Sequence, residues 1–423
     1  MSKVPSNQEV PAEGGFGAAA HERPVPRISI EAFCEFPDTT AALQRASADR
    51  RLSKAHLGIH PGGIQEAVNF FKQNQTPNLL IVETRGQGQA ALLELEQLAN
   101  VCDESTKVIV VGRVNDVQLY RELVRRGVSE YLVGPLTPLQ FIETISSLYV
   151  DPKAPPIGRV VVFAGARGGV GASTLAHNVA WYIAEGLKID TAIVDFDLPF
   201  GTAGLNFNED PGQGVADALV APERLDDVLL DRLLIKCGEH LSLFAAPALL
   251  DRDYEVDSGA YESVLDQVRN SIPCVVVDLP HGWASWSRQT LCAADEIVIV
   301  ATPDLASLRN TKNMLDVVKS RRVNDSPPKL VINQVGVPKR PEIPVKEFGA
   351  AVGQEPVLVL PFDPLVFGTA ANNGQMVAEV QPNSRAAEGM RLLAEMVTGR
   401  AAVSQPAKKS GLSFLPFLNR KAG

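Results

Sequence analysis

Short apolar runs without polar alternation recur along this chain, and segments with helical periodicity separate them. A strand that is apolar on both sides must be buried on both faces, as in parallel sheets that are covered by helices. The alternation of strands and helices also supplies the crossover connections that a parallel sheet requires. The pattern therefore predicts an α/β fold with doubly wound parallel sheets.

Two such regions are predicted on either side of a proline-rich break. Residues 27–150 contain apolar strands at 27–35, 55–59, 78–84, 107–112 and 130–133. Residues 151–157 contain three prolines and are predicted to form a linker. Residues 158–400 contain strands at 160–164, 191–195, 241–245, 274–278, 296–301, 329–333 and 357–360. We expect two domains of one class, with a disordered arm at 1–26 and a tail at 401–423.

Composition excludes several classes of protein. The chain has 423 residues, of which 45% are hydrophobic, so it can bury two large cores. The net charge of -9 means that the chain as a whole lacks the positive charge typical of proteins that bind nucleic acids, so no nucleic-acid partner is expected. The five cysteines are widely spaced, without a CxxC pair, which argues against zinc and disulfides and favours a reducing cytoplasm.

A glycine-rich segment, residues 163–174, follows the first strand of the second region and opens a helix. Loops that bind phosphate have this context. Gly168, Gly169 and Gly171 allow backbone N–H groups to converge on an anion, at which the helix also directs its positive end. Ser173 lies where a hydroxyl group would coordinate Mg²⁺, whereas Ala172 holds the position of the usual loop lysine.

This segment resembles the deviant Walker A loop of the MinD and ParA families, whose KGGVGK[ST] signature aligns on residues 167–173 with both lysines replaced. Residues 193–197, 276–282, 330–333 and 360–363 resemble the later motifs of those families, in the same order. The resemblance implies an ATP site formed by Arg167, Gly168, Gly169, Val170, Gly171, Ala172, Ser173, Thr174, Asn333 and Pro361. It also implies Mg²⁺ ligands at Ser173, Asp195 and Asp278, and a water-positioning role for Asp197 if the enzyme is active.

Each of these side chains also has a purely structural interpretation. Arg167 can pair with an acid, and Asn333 can be a hydrogen-bonded turn residue. The aspartates can cap strand ends, which lie at the same edge of the sheet. Ser173 can bond to its own helix backbone.

Hydrolysis is expected to be slow or absent. Catalysis of phosphoryl transfer depends on neutralising and positioning charge. Loss of one donor aimed at developing charge costs a few kcal/mol in the transition state. Arg167 lies on the other side of the loop and does not replace the missing lysine at Ala172.

In the first region, residues 127–138 resemble the GAxDYLxKPLxP segment of response-regulator receiver domains. The residues that receiver chemistry needs are replaced. Glu83 is at the position of the phospho-acceptor aspartate, and Gly134 is at the position of the lysine. Gly112 is at the position of the Thr/Ser, and Ala32 and Phe33 are at the positions of the acidic pair. The resemblance therefore implies an unphosphorylated domain that serves as an interaction surface. Glu83 is either a permanently charged pseudo-acceptor or a structural strand-end residue.

A degenerate receiver followed by this second domain resembles the CpaE/TadZ family of tight-adherence (Flp/Tad) pilus systems. The resemblance implies a dimeric localisation and scaffold factor of type IVb pilus assembly and secretion machinery, in the cytoplasm, at a cell pole or on the inner membrane. The alternative is an active ATPase switch that cycles on and off the membrane, against which Ala172 argues. A phosphorylation-driven module is a third class, against which Glu83 and Gly134 argue.

The tail combines apolar residues with basic ends at 408–421. This composition is typical of a segment that lies on an anionic inner-membrane surface. Docking to a partner, packing on its own domain and disorder are the alternatives, and Pro416 argues against one continuous helix.

Overall fold

The computed structural model describes residues 25–86, 88–103, 105–149, 157–247 and 253–400. The tail and nearly all of the linker and arm lie outside these residues. Val25, at the end of the predicted arm, is buried, and its N–H donates to the Arg51 carbonyl over 2.8 Å.

The N-terminal domain has a five-stranded parallel sheet in the order β2-β1-β3-β4-β5. The strands are β1 (Ser29–Cys34), β2 (His56–Pro61), β3 (Leu79–Glu83), β4 (Lys107–Gly112) and β5 (Glu130–Val133). The helices are α1 (Pro37–Ser47), α2 (Ile64–Phe71), α3 (Gln89–Ala99), α4 (Val117–Arg125) and α5 (Pro138–Tyr149). The strand order reverses beside β1, which is where doubly wound sheets place their ligand crevice.

The C-terminal domain has an eight-stranded sheet in the order β13-β12-β11-β6-β10-β7-β9-β8. The strands are β6 (Arg159–Gly165), β7 (Thr191–Asp195), β8 (Ile235–Lys236), β9 (Leu241–Phe244), β10 (Cys274–Asp278), β11 (Glu296–Ala301), β12 (Lys329–Val335) and β13 (Leu358–Pro361). The fold class is confirmed for both domains. The antiparallel strand β8 at the sheet edge was not predicted, because two residues carry no periodicity.

Eleven α-helices surround this sheet within the described residues. They are α6 (Ala172–Trp181), α7 (Ala203–Asn206), α8 (Val215–Val220), α9 (Asp227–Leu233), α10 (Ser258–Ser271), α11 (Ser285–Ala293), α12 (Leu305–Arg321), α13 (Val345–Val352), α14 (Pro364–Asn373), α15 (Val377–Val380) and α16 (Arg385–Val397). Alternate residues of the central strands enter separate cores on the two faces, as Val162 and Val161 do in β6. Both faces are therefore buried, as the apolar runs predicted.

The arrangement of the central strands creates one polar edge. Strands β6, β10 and β7 are neighbours, and Asp278 pairs in register with both Phe163 and Asp195. The loop after β6 and the acids that end β7 and β10 consequently meet at the carboxyl edge of the sheet.

The sequence after the first strand predicts one helix over 39–52, which is divided in the structure. Helix α1 ends at Ser47, and a 3₁₀ turn covers Arg50–Leu52 because the Asp49 side chain accepts the Arg51 N–H. This turn joins the two domains. Arg50 lies 3.0 Å from both Asp295 and Asp325, and Arg51 lies 2.7 Å from Asp325.

Among the described helices, none has the length and apolar content needed to cross a lipid bilayer.

Candidate functional site

The phosphate loop connects β6 to α6 and is open to solvent at its tip. Gly169 and Gly171 have φ angles of 78° and 87°, in the left-handed region that favours glycine. A Cβ atom at Gly169 would meet nothing within 4 Å, whereas one at Gly171 would lie 2.6 Å from the Asn333 amide nitrogen. The loop therefore has the backbone shape of an anion cradle, and Gly171 allows the close approach of β12.

Two side chains at the end of β12 hold this loop by hydrogen bonds. The Asn333 amide nitrogen donates to the Val170 carbonyl over 2.8 Å, and the Gln334 amide nitrogen donates to the Gly169 carbonyl over 2.9 Å. Asn333 is thus a hydrogen-bonded residue of the loop support. Sequence reasoning did not identify Gln334, which only its position after Asn333 could have suggested.

A cavity of about 170 Å³ beside the loop brings together residues from separate motifs. Four of its lining residues, Gly171, Thr174, Asn333 and Pro361, were predicted as nucleotide contacts. Phe362 and Phe367 add aromatic surface to the same cavity. The cavity has the mixed apolar and amide lining that suits a nucleobase.

The two replaced lysine positions differ. Ala172 begins α6 and contributes only a methyl group to the cradle. Arg167 is about half exposed and lies 3.3 Å from Asp304, the N-cap of α12. Although burial opposes it, hydrogen bonds from Thr302 and Ser307 lower the pKa of Asp304, which keeps a negative charge beside Arg167. Arg167 is therefore paired with an acid of its own chain.

The predicted magnesium acids lie behind the loop. Asp195 and Asp278 end adjacent strands and are buried. Asp195 accepts the N–H groups of Asp197 and Ala203 over 3.1 and 3.2 Å. Burial, followed by the charge of Asp278, raises the pKa of Asp195 to about 7. Burial also raises the pKa of Asp197, which is more exposed than the other two acids and caps the following turn at Phe200.

Sequence reasoning missed His177, which completes this cluster. The imidazole ring is fully buried on α6, and its Nε2 atom lies 3.4 Å from the Asp278 carboxylate. Its Nδ1 atom lies 2.7 Å from the side-chain nitrogen of Asn206. His177 is four residues after Ser173 and therefore on the same helix face, which is the signal that could have found it.

Glu83 occupies the corresponding edge of the N-terminal sheet. Its buried carboxylate accepts hydrogen bonds from the N–H groups of Glu35 and Phe36, from the Thr39 hydroxyl and from the Arg113 guanidinium, at 2.6–3.2 Å. These contacts give Glu83 a structural role.

The placement of the acidic pair at Ala32 and Phe33 was wrong. Both residues lie inside β1 and are buried, because the strand continues to Cys34. The residues at its end are Glu35 and Phe36, and the carboxylate of Glu35 pairs with Arg85 at 2.6 Å.

Comparison with known proteins identifies the family. A CpaE pilus assembly protein from Caulobacter crescentus CB15 is 50% identical to this chain in a match that covers 30% of this chain, in its N-terminal region, and 98% of that one. Its TM-score is 0.30, so the relationship rests on the sequence identity. The chain belongs to the CpaE family of pilus assembly proteins.

The C-terminal domain of this CpaE-family chain is similar to ParA and MinD proteins. A ParA family ATPase from Chlorobium tepidum TLS is 26% identical, with a TM-score of 0.51, and covers 56% of this chain and 98% of its own. MinD from Pyrococcus horikoshii OT3, solved with Mg-ADP, is 19% identical, with a TM-score of 0.52, and covers 59% and 100%. No family model matches the chain.

Proposed function

We propose that this chain is a localisation and scaffold protein of tight-adherence (Flp/Tad) type IVb pilus assembly and secretion machinery, which binds ATP and hydrolyses it slowly or not at all. The observation that carries the proposal is a phosphate loop with an intact backbone and a methyl group in place of its lysine. Backbone N–H groups and a helix N-terminus can hold an anion without that side chain. The loop therefore supports binding better than turnover.

The residues present also fit a magnesium ion. Ser173 lies in the first turn of α6, and Asp278 has a buried oxygen, Oδ1, without a hydrogen-bond partner. Ser173, Asp195 and Asp278 would hold Mg²⁺, which would neutralise phosphate charge when bound. In an active enzyme Asp197 would position water.

Apolar side chains exposed around the site support dimerisation. Phe200, Trp283 and Leu305 are 72%, 48% and 75% exposed, and Leu305 follows the Asp304 that pairs with Arg167. Exposed large apolar groups that cluster beside a site are typical of association surfaces. The proposed second copy would cover this face, and Leu305→Asp should reduce the dimer fraction measured by light scattering with ATP.

The other roles proposed from the resemblance concern location and partners. The N-terminal domain would be a receiver-like interaction surface for pilus machinery at a cell pole. Residues 408–421, outside the described part, would contact the inner membrane from the cytoplasm. Unchanged sedimentation with anionic liposomes after deletion of 408–423 would reject that contact.

Calorimetric titration with ATP and ADP in Mg²⁺, together with phosphate-release kinetics, tests the nucleotide proposal. We expect saturable binding with little phosphate release. Ala172→Lys should tighten ATP binding, because it restores a cation directed at the phosphates. Absence of binding in both proteins would refute the nucleotide site.

Rapid phosphate release would instead favour the active ATPase switch. In that case Asp197→Ala should abolish the release. Loss of one donor directed at transition-state charge slows such reactions by roughly 10²–10³-fold, so the release rate separates the two functions.

A further inference from the structure

We propose that His177, Asp195 and Asp278 form a site for a divalent transition-metal ion such as Zn²⁺, which fills without nucleotide. The three side chains come from α6, β7 and β10 and are buried together. One imidazole and two carboxylates are a donor set for Zn²⁺ and related ions, whereas Mg²⁺ is held by oxygen ligands. The site shares two acids with the proposed magnesium position, and His177 changes the class of ion that it selects.

The distances allow one ion to bridge all three residues. One ligand atom from each residue lies within 4.8 Å of the others. In a tetrahedral site, bonds of about 2.1 Å to a common ion place two ligand atoms about 3.4 Å apart. The widest pair must therefore close by up to about 1.4 Å when the ion binds, through rotation of the three side chains.

Two polar atoms of this cluster lack partners. His177 Nε2 and Asp278 Oδ1 are buried without a hydrogen bond. Buried polar atoms are almost always paired, because an unpaired one loses its hydration without compensation. The two side chains are at most 3% exposed, and Nε2 of His177 lies 3.4 Å from Oδ2, the other carboxylate oxygen of Asp278. A cation between them would satisfy both.

Asp195 is already oriented for such a role. Each of its carboxylate oxygens accepts one backbone N–H, from Asp197 or from Ala203. A carboxylate oxygen has two lone pairs, so one remains on each atom. Fixed hydrogen bonds of this kind orient metal-binding carboxylates.

Asn206 determines which nitrogen of the imidazole carries the hydrogen. In the structure its side-chain nitrogen lies 2.7 Å from Nδ1 of His177, so the metal proposal requires the amide to be flipped, with its oxygen towards Nδ1. With the amide oxygen facing Nδ1–H, the lone pair of Nε2 points at the two acids, as a metal ligand requires. With the amide nitrogen facing Nδ1, the hydrogen lies on Nε2, and the ring can only donate to Asp278. The metal proposal therefore requires the first orientation.

Titration of the metal-stripped full-length chain with Co²⁺, in the absence of nucleotide, tests the proposal. Co²⁺ substitutes for Zn²⁺ and reports its ligands through visible absorption. We expect one Co²⁺ per chain, displaced by Zn²⁺ and retained in excess Mg²⁺. His177→Ala should abolish the absorption. Asn206→Ala should weaken binding about 10- to 100-fold, and Asn206→Asp should preserve it.

His240→Ala is the matched control, because His240 also pairs with an aspartate, Asp190, at the opposite end of β7. Its Co²⁺ binding should equal that of the unaltered chain. If His177→Ala does not fold, His177→Gln and Asp195→Asn provide the same test. Absence of absorption in the unaltered chain, or its persistence in folded His177 variants, would overturn the proposal.

Nucleotide binding and metal binding are tested independently of each other. Co²⁺ binding without ATP binding would refute only the proposed function. ATP binding without Co²⁺ binding would refute only the metal site.

Discussion

Both domains place buried carboxylates at the carboxyl edge of a parallel sheet, but the two edges differ in how these groups are paired. In the N-terminal domain, Glu83 accepts hydrogen bonds from two N–H groups, one hydroxyl and one guanidinium. In the C-terminal domain, the cluster of Asp195, Asp278 and His177 retains two buried atoms without partners. The same topological position is closed in one domain and available to a ligand in the other.

The difference follows from the chain near each edge. Arg113 follows β4 and reaches both Asp38 and Glu83, so a cation of the protein occupies the N-terminal edge. At the C-terminal edge Arg167 pairs with Asp304 on the far side of the loop, and Ala172 carries no charge. A strand-end carboxylate is thus a candidate ligand where the fold leaves lone pairs of its oxygens unused, as at Asp195 and Asp278 but not at Glu83.

The largest expected effect is at the closed edge. Glu83→Ala should destabilise the N-terminal domain by about 3 kcal/mol, because it leaves Arg113 and two N–H groups without their acceptor. Hydrogen exchange of peptides from β1 and β3, measured across a urea series, resolves this domain. Glu143→Ala, at an exposed position on α5, is the control and should change stability by less than about 0.5 kcal/mol. Equal effects would mean that Glu83 is not a structural carboxylate.

Thr39→Val tests one of the four donors with little change in shape. The Thr39 hydroxyl is buried and lies 2.6 Å from Glu83. A hydrogen bond to a charged group contributes about 1.5 kcal/mol or more, so the same exchange measurement should detect a loss of that size. Thr144→Val, whose hydroxyl bonds the Gln140 carbonyl on an exposed helix face, should have a smaller effect. A smaller effect at Thr39 than at Thr144 would contradict the account.

At the available edge, neutralising an acid should stabilise the protein, in contrast to the destabilisation expected at Glu83. The pKa of Asp195 is raised to about 7, so the folded state binds this proton more tightly than the unfolded state. Protonation of Asp195 therefore contributes to the stability of the folded state. This contribution is complete below about pH 4 and is lost as the pH rises through 7. In chelator, Asp195→Asn should therefore stabilise the protein at pH 8, because it removes a buried charge. The gain should be only about 1 kcal/mol, because the amide keeps one acceptor for the two N–H groups. Thermal melting at pH 5 and pH 8 measures this, and destabilisation at pH 8 would be the contrary result.

The parts of the fold that sequence predicted well have local signals. The strands at 191–195 and 274–278 match β7 and β10, because each apolar run ends at an aspartate that also ends the strand. The glycines of the phosphate loop were identifiable from the sequence, because the loop needs positive φ angles at Gly169 and Gly171 and these angles favour glycine. The fold class followed from the alternation of apolar strands with helices, and the family resemblance added the order of the motifs.

The features that were missed depend on contacts between distant parts of the chain. The pairing of Arg50 with Asp295 joins residues 245 positions apart, and no local pattern predicts it. The break in the helix over 39–52 depends on Asp49 bonding back to Arg51. His177 differs, since its spacing from Ser173 was available, but a histidine on an apolar helix face is ordinarily only a core residue. Its significance required the positions of Asp195 and Asp278.

The most direct test compares both edges in one crystal. Crystals of the full-length chain grown with Mn²⁺ and a non-hydrolysable ATP analogue would give an anomalous difference map at the manganese edge. We predict a peak in contact with Asp195 or Asp278 and none beside Glu83. A peak at Glu83, or density for the analogue with no peak at Asp195 or Asp278, would contradict the distinction between the closed and the available edge.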